Sequence, residues 1–139
     1  GGYFELELPR GALPHQGSVQ LQSARATFLA LLRAGKPDRV WMPRYICDAM
    51  HAPLRMAGID CVWYDVDERL AVDDRVMLET GDWLLYVNYF GLCEQNVAAL
   101  MRRFPPGQIV LDCSTRKRSA SNHLLSEKIL RSPGWRHAL

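Results

Sequence analysis

Asp112 closes Ile109-Val110-Leu111, an apolar run that reads as a buried strand. A carboxylate at such a strand end loses solvation unless something pairs with it. It could partner a protonated ring nitrogen or another cation, or it could cap the next turn. Position alone leaves both uses open. Ser23-Ala24-Arg25 reads as the start of a helix. Helix-start N–H groups, a Ser hydroxyl and an Arg guanidinium together could cradle a phosphate. The simpler reading is an N-cap followed by a surface Arg, because no Gly-rich loop of the P-loop or dinucleotide kind is present. Asn88-Tyr89-Phe90-Gly91 follows a second apolar run, Trp83 to Val87. Its polar residue and two aromatics could line a pocket. More often such aromatics are core and such a Gly is turn chemistry. Tyr45 and Trp41 carry the same two readings.

Other chemistries find less support. The histidines at 15, 51, 123 and 137 form no recognisable pattern. No Ser sits in a GxSxG elbow, which argues against a Ser-His-Asp hydrolase. Cys47, Cys61, Cys93 and Cys113 include no CxxC pair and no His at a zinc-ligand spacing. Most lie in apolar stretches, where Cys behaves as a small hydrophobe. A metal site is not expected, and a reduced, cytoplasmic chain is. Arg116-Lys117-Arg118 has no stacking aromatics beside it, so a solvated tail is preferred over nucleic-acid binding.

These residues need elements to hold them. Tyr3 to Leu8 alternates apolar and acidic, as a half-buried strand does. A helix is expected from Ser23 to about Ala34, stopped by Gly35 and Pro37. Arg39 to Met42 reads as a short strand. Cys47 to Ala57 reads as a helix with Gly58 as its C-cap. Ile59 to Tyr64 is a strand candidate, and Asp65, Asp67, Asp73 and Asp74 mark an acidic loop. Trp83 to Val87 and Ile109 to Leu111 read as strands buried on both faces. Asn96 to Arg103 is helical, ended by Pro105-Pro106-Gly107. The order is β-α-β-α-β-β-α-β with short connections. This predicts an α/β fold, a three-layer α/β/α domain around a mostly parallel sheet. Ligands in such sheets bind at the carboxyl ends of the strands. Candidate positions are then Pro43 to Cys47, Asn88 to Gly91 and Asp112 to Ser114.

Composition agrees with a globular chain. Of 139 residues, 48% are hydrophobic and 23% charged, enough apolar side chain to offset ordering entropy. No apolar run approaches the roughly 18 residues of a membrane span. Gly1 to Leu8 lacks the basic start and apolar core of a signal peptide. Without an initiator Met, the chain reads as a truncated one. The net charge of +2 is unevenly spread. Residues 1–112 carry 11 Lys/Arg against 14 Asp/Glu, whereas residues 113–139 carry 6 against 1. The last stretch therefore differs in composition from all that precedes it.

Residues 1–114 resemble the DegT/DnrJ-type aminotransferases, fold-type-I enzymes that use pyridoxal phosphate, many of them on nucleotide-linked keto-sugars. Four pieces carry the resemblance, in order. Gly1-Gly2-Tyr3-Phe4-Glu5-Leu6 is followed by Ser23-Ala24-Arg25 at the family's phosphate-binding Ser-Gly-Thr position. Met42-Pro43-Arg44-Tyr45 is followed by Asp65-Val66-Asp67. Val87-Asn88-Tyr89-Phe90-Gly91 is similar to the family's V-H-x-Y-G. Val110-Leu111-Asp112-Cys113-Ser114 is similar to its E-D-A-A. The resemblance implies the first part of a pyridoxal-phosphate-dependent large domain, active as a homodimer. Its partners are small molecules, an amino acid and a keto-sugar nucleotide, with no nucleic acid and no membrane. It also implies that Asp112 faces the ring nitrogen, and that Ser23, Ala24 and Arg25 face the phosphate.

Three departures from the family pattern stand out. Ala24 and Arg25 replace the small Gly-Thr pair. Cys47 stands where the family usually has an aromatic that stacks on the cofactor ring. The Schiff-base Lys is missing, since Lys117 and Lys128 lie beyond the resemblance and lack its neighbours. The resemblance stops where the charge changes, and one cause explains both: a frame shift just after Ser114. Permitted codons for Asn122 to His137, read one base later, can encode T-I-Y-S-A-R-K-F-F-G-V-P-D-G-G, similar to the Schiff-base segment of one branch. Residues 115–139 are then a basic tail outside the family fold, and no transaminase activity is expected. The alternative is a non-catalytic α/β module that binds a nucleotide or other small ligand.

Overall fold

Ser23 opens the first helix, as its type predicts. Its backbone is extended, and its hydroxyl accepts a hydrogen bond from the Ala26 N–H at 3.2 Å. The computed structural model describes Val19 and residues 21–113. The expected strand at Tyr3 to Leu8 and the tail at 115–139 lie outside the described residues. Helix α1 runs Ala24–Gly35 and buries Phe28 and Leu32. Lys36, not Gly35, takes the left-handed turn that ends it, and its N–H bonds to the Leu32 carbonyl at 2.9 Å.

Strand β1 is Arg39–Pro43. The helix expected at Cys47 to Ala57 is split in two: a 3-10 turn at Asp48–His51 and helix α2 at Ala52–Ala57. Pro53 explains the break. It has no N–H to donate and its ring crowds the preceding turn, so it is accommodated only at a helix start. Gly58, at φ 68°, caps α2 as expected. Strand β2 is Asp60–Tyr64, and β3 is Asp82–Val87, buried along its whole length. Helix α3 is Glu94–Arg103, and β4 is Ile109–Asp112.

The four strands are all parallel, in the order β2-β1-β3-β4. Alternation along each strand then sorts side chains between two faces. Val40, Met42, Trp83 and Leu85 pack with Phe28 and Leu32 of α1 and Leu54 of α2. Leu84, Tyr86 and Ile109 pack on the other face with Val97 and Leu100 of α3, and with Val72 and Val76 of the 65–81 loop. This is the expected three-layer α/β/α arrangement. It follows from the handedness of crossovers. The chain steps from β1 to β2 in one direction and from β3 to β4 in the other, so right-handed connections put α2 and α3 on opposite faces. Each fully buried Leu or Met contributes about 1.5–3 kcal/mol of transfer free energy.

The amino edge of the sheet is tied by one buried carboxylate. Asp82, 1% exposed, accepts from Arg39 Nε at 2.7 Å, Trp41 Nε1 at 3.0 Å and the Glu79 N–H at 2.9 Å. Burial pushes its pKa up, but the Arg39, Glu79 and Trp41 hydrogen bonds together outweigh burial and hold it below the usual range. Next to it Gly81 sits at φ 92°, where a Cβ would lie 2.0 Å from Asp38 Oδ2. Only Gly fits that approach.

Candidate functional site

The reversal of strand order places the crevice of this sheet between the carboxyl ends of β1 and β3. The expected segments Pro43 to Cys47 and Asn88 to Gly91 converge at that edge with Asp112 and Cys113, the described part of the expected Asp112 to Ser114. Tyr89 links the first two. Its hydroxyl donates to the Tyr45 carbonyl at 2.8 Å, and the two rings lie 5.4 Å apart, tilted by 30°. Asn88 links the second and third. Its N–H donates to the Asp112 carbonyl at 2.8 Å, extending the pairing of β3 and β4 by one bond. Its side chain, 3% exposed, accepts from the Cys93 N–H at 3.0 Å and so sets the start of α3.

Asp112 is the last residue of β4, half-buried, in register with Val87. It lies near enough to Tyr89 to act on that hydroxyl. Burial, aided by Cys93, Tyr45 and Asp112, pushes Tyr89 up to about 12. The turn that Asp112 could cap runs past Cys113, outside the described residues.

Ser23 occupies the place its type predicts. Besides capping Ala26, its carbonyl accepts from the Thr27 N–H at 3.0 Å. Ala24 and Arg25 are exposed. Helix α1 ends three residues before β1 and packs on the β1/β3 face, so its start points toward the carboxyl edge. The first N–H groups of any helix have no partner inside it. Cys47 is exposed and begins the 3-10 turn, its carbonyl accepting from the Met50 N–H at 2.9 Å. The aromatic rings at this edge belong to Tyr45, Tyr89 and Phe90 instead. Lys36 is the one lysine among the described residues, and it stands at the opposite, amino edge. No group of three or more His, Cys, Asp or Glu side chains among the described residues could hold a metal. No described helix is long and apolar enough to cross a membrane.

Sequence reasoning offered Asn88 only as part of a segment that could line a pocket and missed its role as the tie between β3, β4 and α3. It also missed the Tyr89–Tyr45 bond. No sequence signal marks either bond, because the positive φ of Phe90 and Gly91 that shapes this turn shows only in the folded chain.

No family model matches the chain. No curated protein matches it either. Two solved structures are similar. A protein of Burkholderia pseudomallei K96243, provisionally described as an aminotransferase, matches 64% of this chain at 16% identity and a TM-score of 0.50. The sugar aminotransferase CalS13 of Micromonospora echinospora matches 64% at 21% identity and a TM-score of 0.47. The matched parts span 29% and 28% of those chains. What this chain shares with the Burkholderia protein is its fold, an α/β segment less than a third of that protein's length.

Proposed function

We propose that residues 1–114 are the first part of a pyridoxal-phosphate-dependent aminotransferase large domain. The observation that carries this reading is the position of Asp112 at the sheet's carboxyl edge, beside the β1/β3 crevice, in an aminotransferase-like fold. Two residue sets fit the cofactor. Asp112 is a half-buried carboxylate at a strand end, suited to hold a proton on a ring nitrogen. Ser23, with the N–H groups of Ala24 and Arg25, forms a helix start suited to a phosphate. When bound, pyridoxal phosphate supplies an electron sink for carbanion formation at an amino-acid carbon. Tyr89 and Asn88 hold the loops that surround Asp112.

The amine does not fit. Lys36 is at the wrong edge, and Lys117 and Lys128 belong to the basic tail. The chain is therefore a non-covalent binder without transaminase turnover, and residues 115–139 are a frame-shifted tail. By the family resemblance, the parent enzyme would pass an amino group from an amino acid to a keto-sugar nucleotide. It would do so as a cytoplasmic homodimer.

The test is equilibrium binding of pyridoxine 5′-phosphate, which has no aldehyde to react, to the full chain. Asp112→Asn is expected to weaken binding about tenfold or more, the worth of one charge-assisted hydrogen bond. Lys36→Ala is expected to leave it unchanged. Equal affinity for Asp112→Asn and the unaltered chain would contradict the assignment of Asp112.

A further inference from the structure

Residues 65–81 join β2 to β3, two parallel strands, without a helix. A crossover of irregular chain must satisfy its backbone polar groups some other way. Here N–H groups bond inside the segment. Those of Asp67, Leu70, Asp73 and Val76 donate to the carbonyls of Ala71, Asp67, Asp65 and Asp73, at 2.9–3.3 Å. Arg69 and Ala71 donate to the Asp67 carboxylate, and Arg75 to that of Asp73. Val66 and Val72 form a short antiparallel bridge.

Its carbonyls are held from outside, by side chains. Arg103, in the last turn of α3, donates to the carbonyls of Asp73 at 3.1 Å, Asp74 at 2.6 Å and Val76 at 2.5 Å. Its guanidinium also lies over the Phe104 ring, 4.7 Å from the centroid, which steadies its direction. Asn96 donates to the Arg69 carbonyl at 2.8 Å, Tyr86 to that of Leu70 at 2.7 Å and Gln108 to that of Glu79 at 2.6 Å. Apolar contact adds to the grip, since Val72 and Val76 are buried in one cluster with Tyr86, Val97 and Leu100. A strand in a ladder cannot leave without undoing the ladder. A segment whose turns close on themselves can part from the fold as one piece, with those turns kept.

We propose that residues 65–81 form a strap, clasped by Arg103, that opens as one unit while the four-stranded sheet stays folded. The crevice feels the opening. Asp65, where the strap begins, pairs with Arg44 at 3.5 Å, next to Tyr45. The Tyr86 ring, whose hydroxyl bonds to the strap, meets the Tyr89 ring edge-on at 6.2 Å, and Tyr89 in turn holds the Tyr45 carbonyl. Opening releases Arg44 and Tyr86 from the strap and so loosens the loop after β1. None of this depends on which ligand the crevice takes.

The experiment is native-state amide hydrogen exchange on the full chain and on its Arg103→Ala, Arg103→Lys and Ser23→Ala variants. The amides of Asp67, Leu70, Asp73 and Val76 should share one opening free energy, lower than that of Leu84 to Val87. Arg103→Ala should speed those strap amides by a common factor of about ten or more, the effect of losing at least one charge-assisted hydrogen bond. Arg103→Lys keeps the charge without the planar fork and should speed them by a smaller factor. Ser23→Ala weakens α1, which packs on the other face of the sheet. It should speed Leu84 to Val87 and leave the strap amides unchanged. A single free energy shared by strap and β3 in the unaltered chain overturns the strap. So does unchanged exchange of the strap amides in Arg103→Ala, acceleration of only some of them, or equal acceleration of strap and β3 by Ser23→Ala. Should Arg103→Ala not fold, Arg103→Lys decides: common acceleration of the strap amides supports the clasp, and none overturns it.

Discussion

Replacing Asn88 by Ala should loosen the candidate site from one identifiable bond. The Asn88 carboxamide oxygen accepts from the Cys93 N–H at 3.0 Å, and both residues are buried, at 3% and 6% exposure. Removing the acceptor strands a donor that water does not reach. The cost of such an orphan is about 1–3 kcal/mol. For a domain of this size each kcal/mol moves the melting temperature by about 4–8 °C. A fall of at least about 4 °C is therefore expected for Asn88→Ala, followed by circular dichroism. The damage should be local. The Asn88 N–H still reaches the Asp112 carbonyl, so the pairing of β3 and β4 survives. Amide hydrogen exchange should accelerate from Gly91 to Val97 and stay slow in Leu84 to Val87. A melting temperature within about 2 °C of the unaltered chain would refute the reasoning, since it implies less than about 0.5 kcal/mol. Unchanged exchange at Cys93 would refute it as well.

Two further outcomes follow from groups already described. Ser23→Ala removes the cap of α1 and should cost about 1 kcal/mol, read as a lower melting temperature; no change would mean the 3.2 Å bond to Ala26 carries no stability. Burial raises the pKa of Tyr64, Tyr86 and Tyr89, the last to about 12, so their neutral forms favour the folded chain. That stability is full below the ordinary tyrosine value of about 10 and is lost as pH rises through the folded values, so unfolding should set in above about pH 10. Ultraviolet titration showing all tyrosines ionising near 10 in the folded chain would contradict this.

Much of the fold was legible because its signals are local. Trp83 to Val87 is apolar throughout, and it is the buried central strand. Ser23 and Gly58 cap the helices their types predict. The less legible parts depend on geometry that spacing does not carry. The pattern from Cys47 to Ala57 is helical in period, yet Pro53 breaks it because a ring without an N–H cannot sit inside a helix. The 65–81 loop reads as acidic, but Val66 and Val72 form an antiparallel bridge that packs Val72 into the core. At the site, residue types placed Asp112, Asn88 and Tyr45 at strand ends, and parallel topology brought those ends together. Which of them bond to which could not be read. Asn88 bonds to Asp112, distant in sequence, and to Cys93, near in sequence, and only the packed turn selects them. The left-handed backbone at Phe90 is likewise invisible in a string that reads as ordinary turn chemistry.

The proposed reading is that an aminotransferase sequence runs through Ser114 and then loses its frame together with its lysine. The direct measurement is the nucleotide sequence across codons 112–139 and beyond. With a frame shift after Ser114, the next frame encodes the R-K-F-F-G-V-P-D-G-G segment and continues open. A closed frame, or one encoding an unrelated segment, would contradict it and leave a non-catalytic binding module as the better description of this chain.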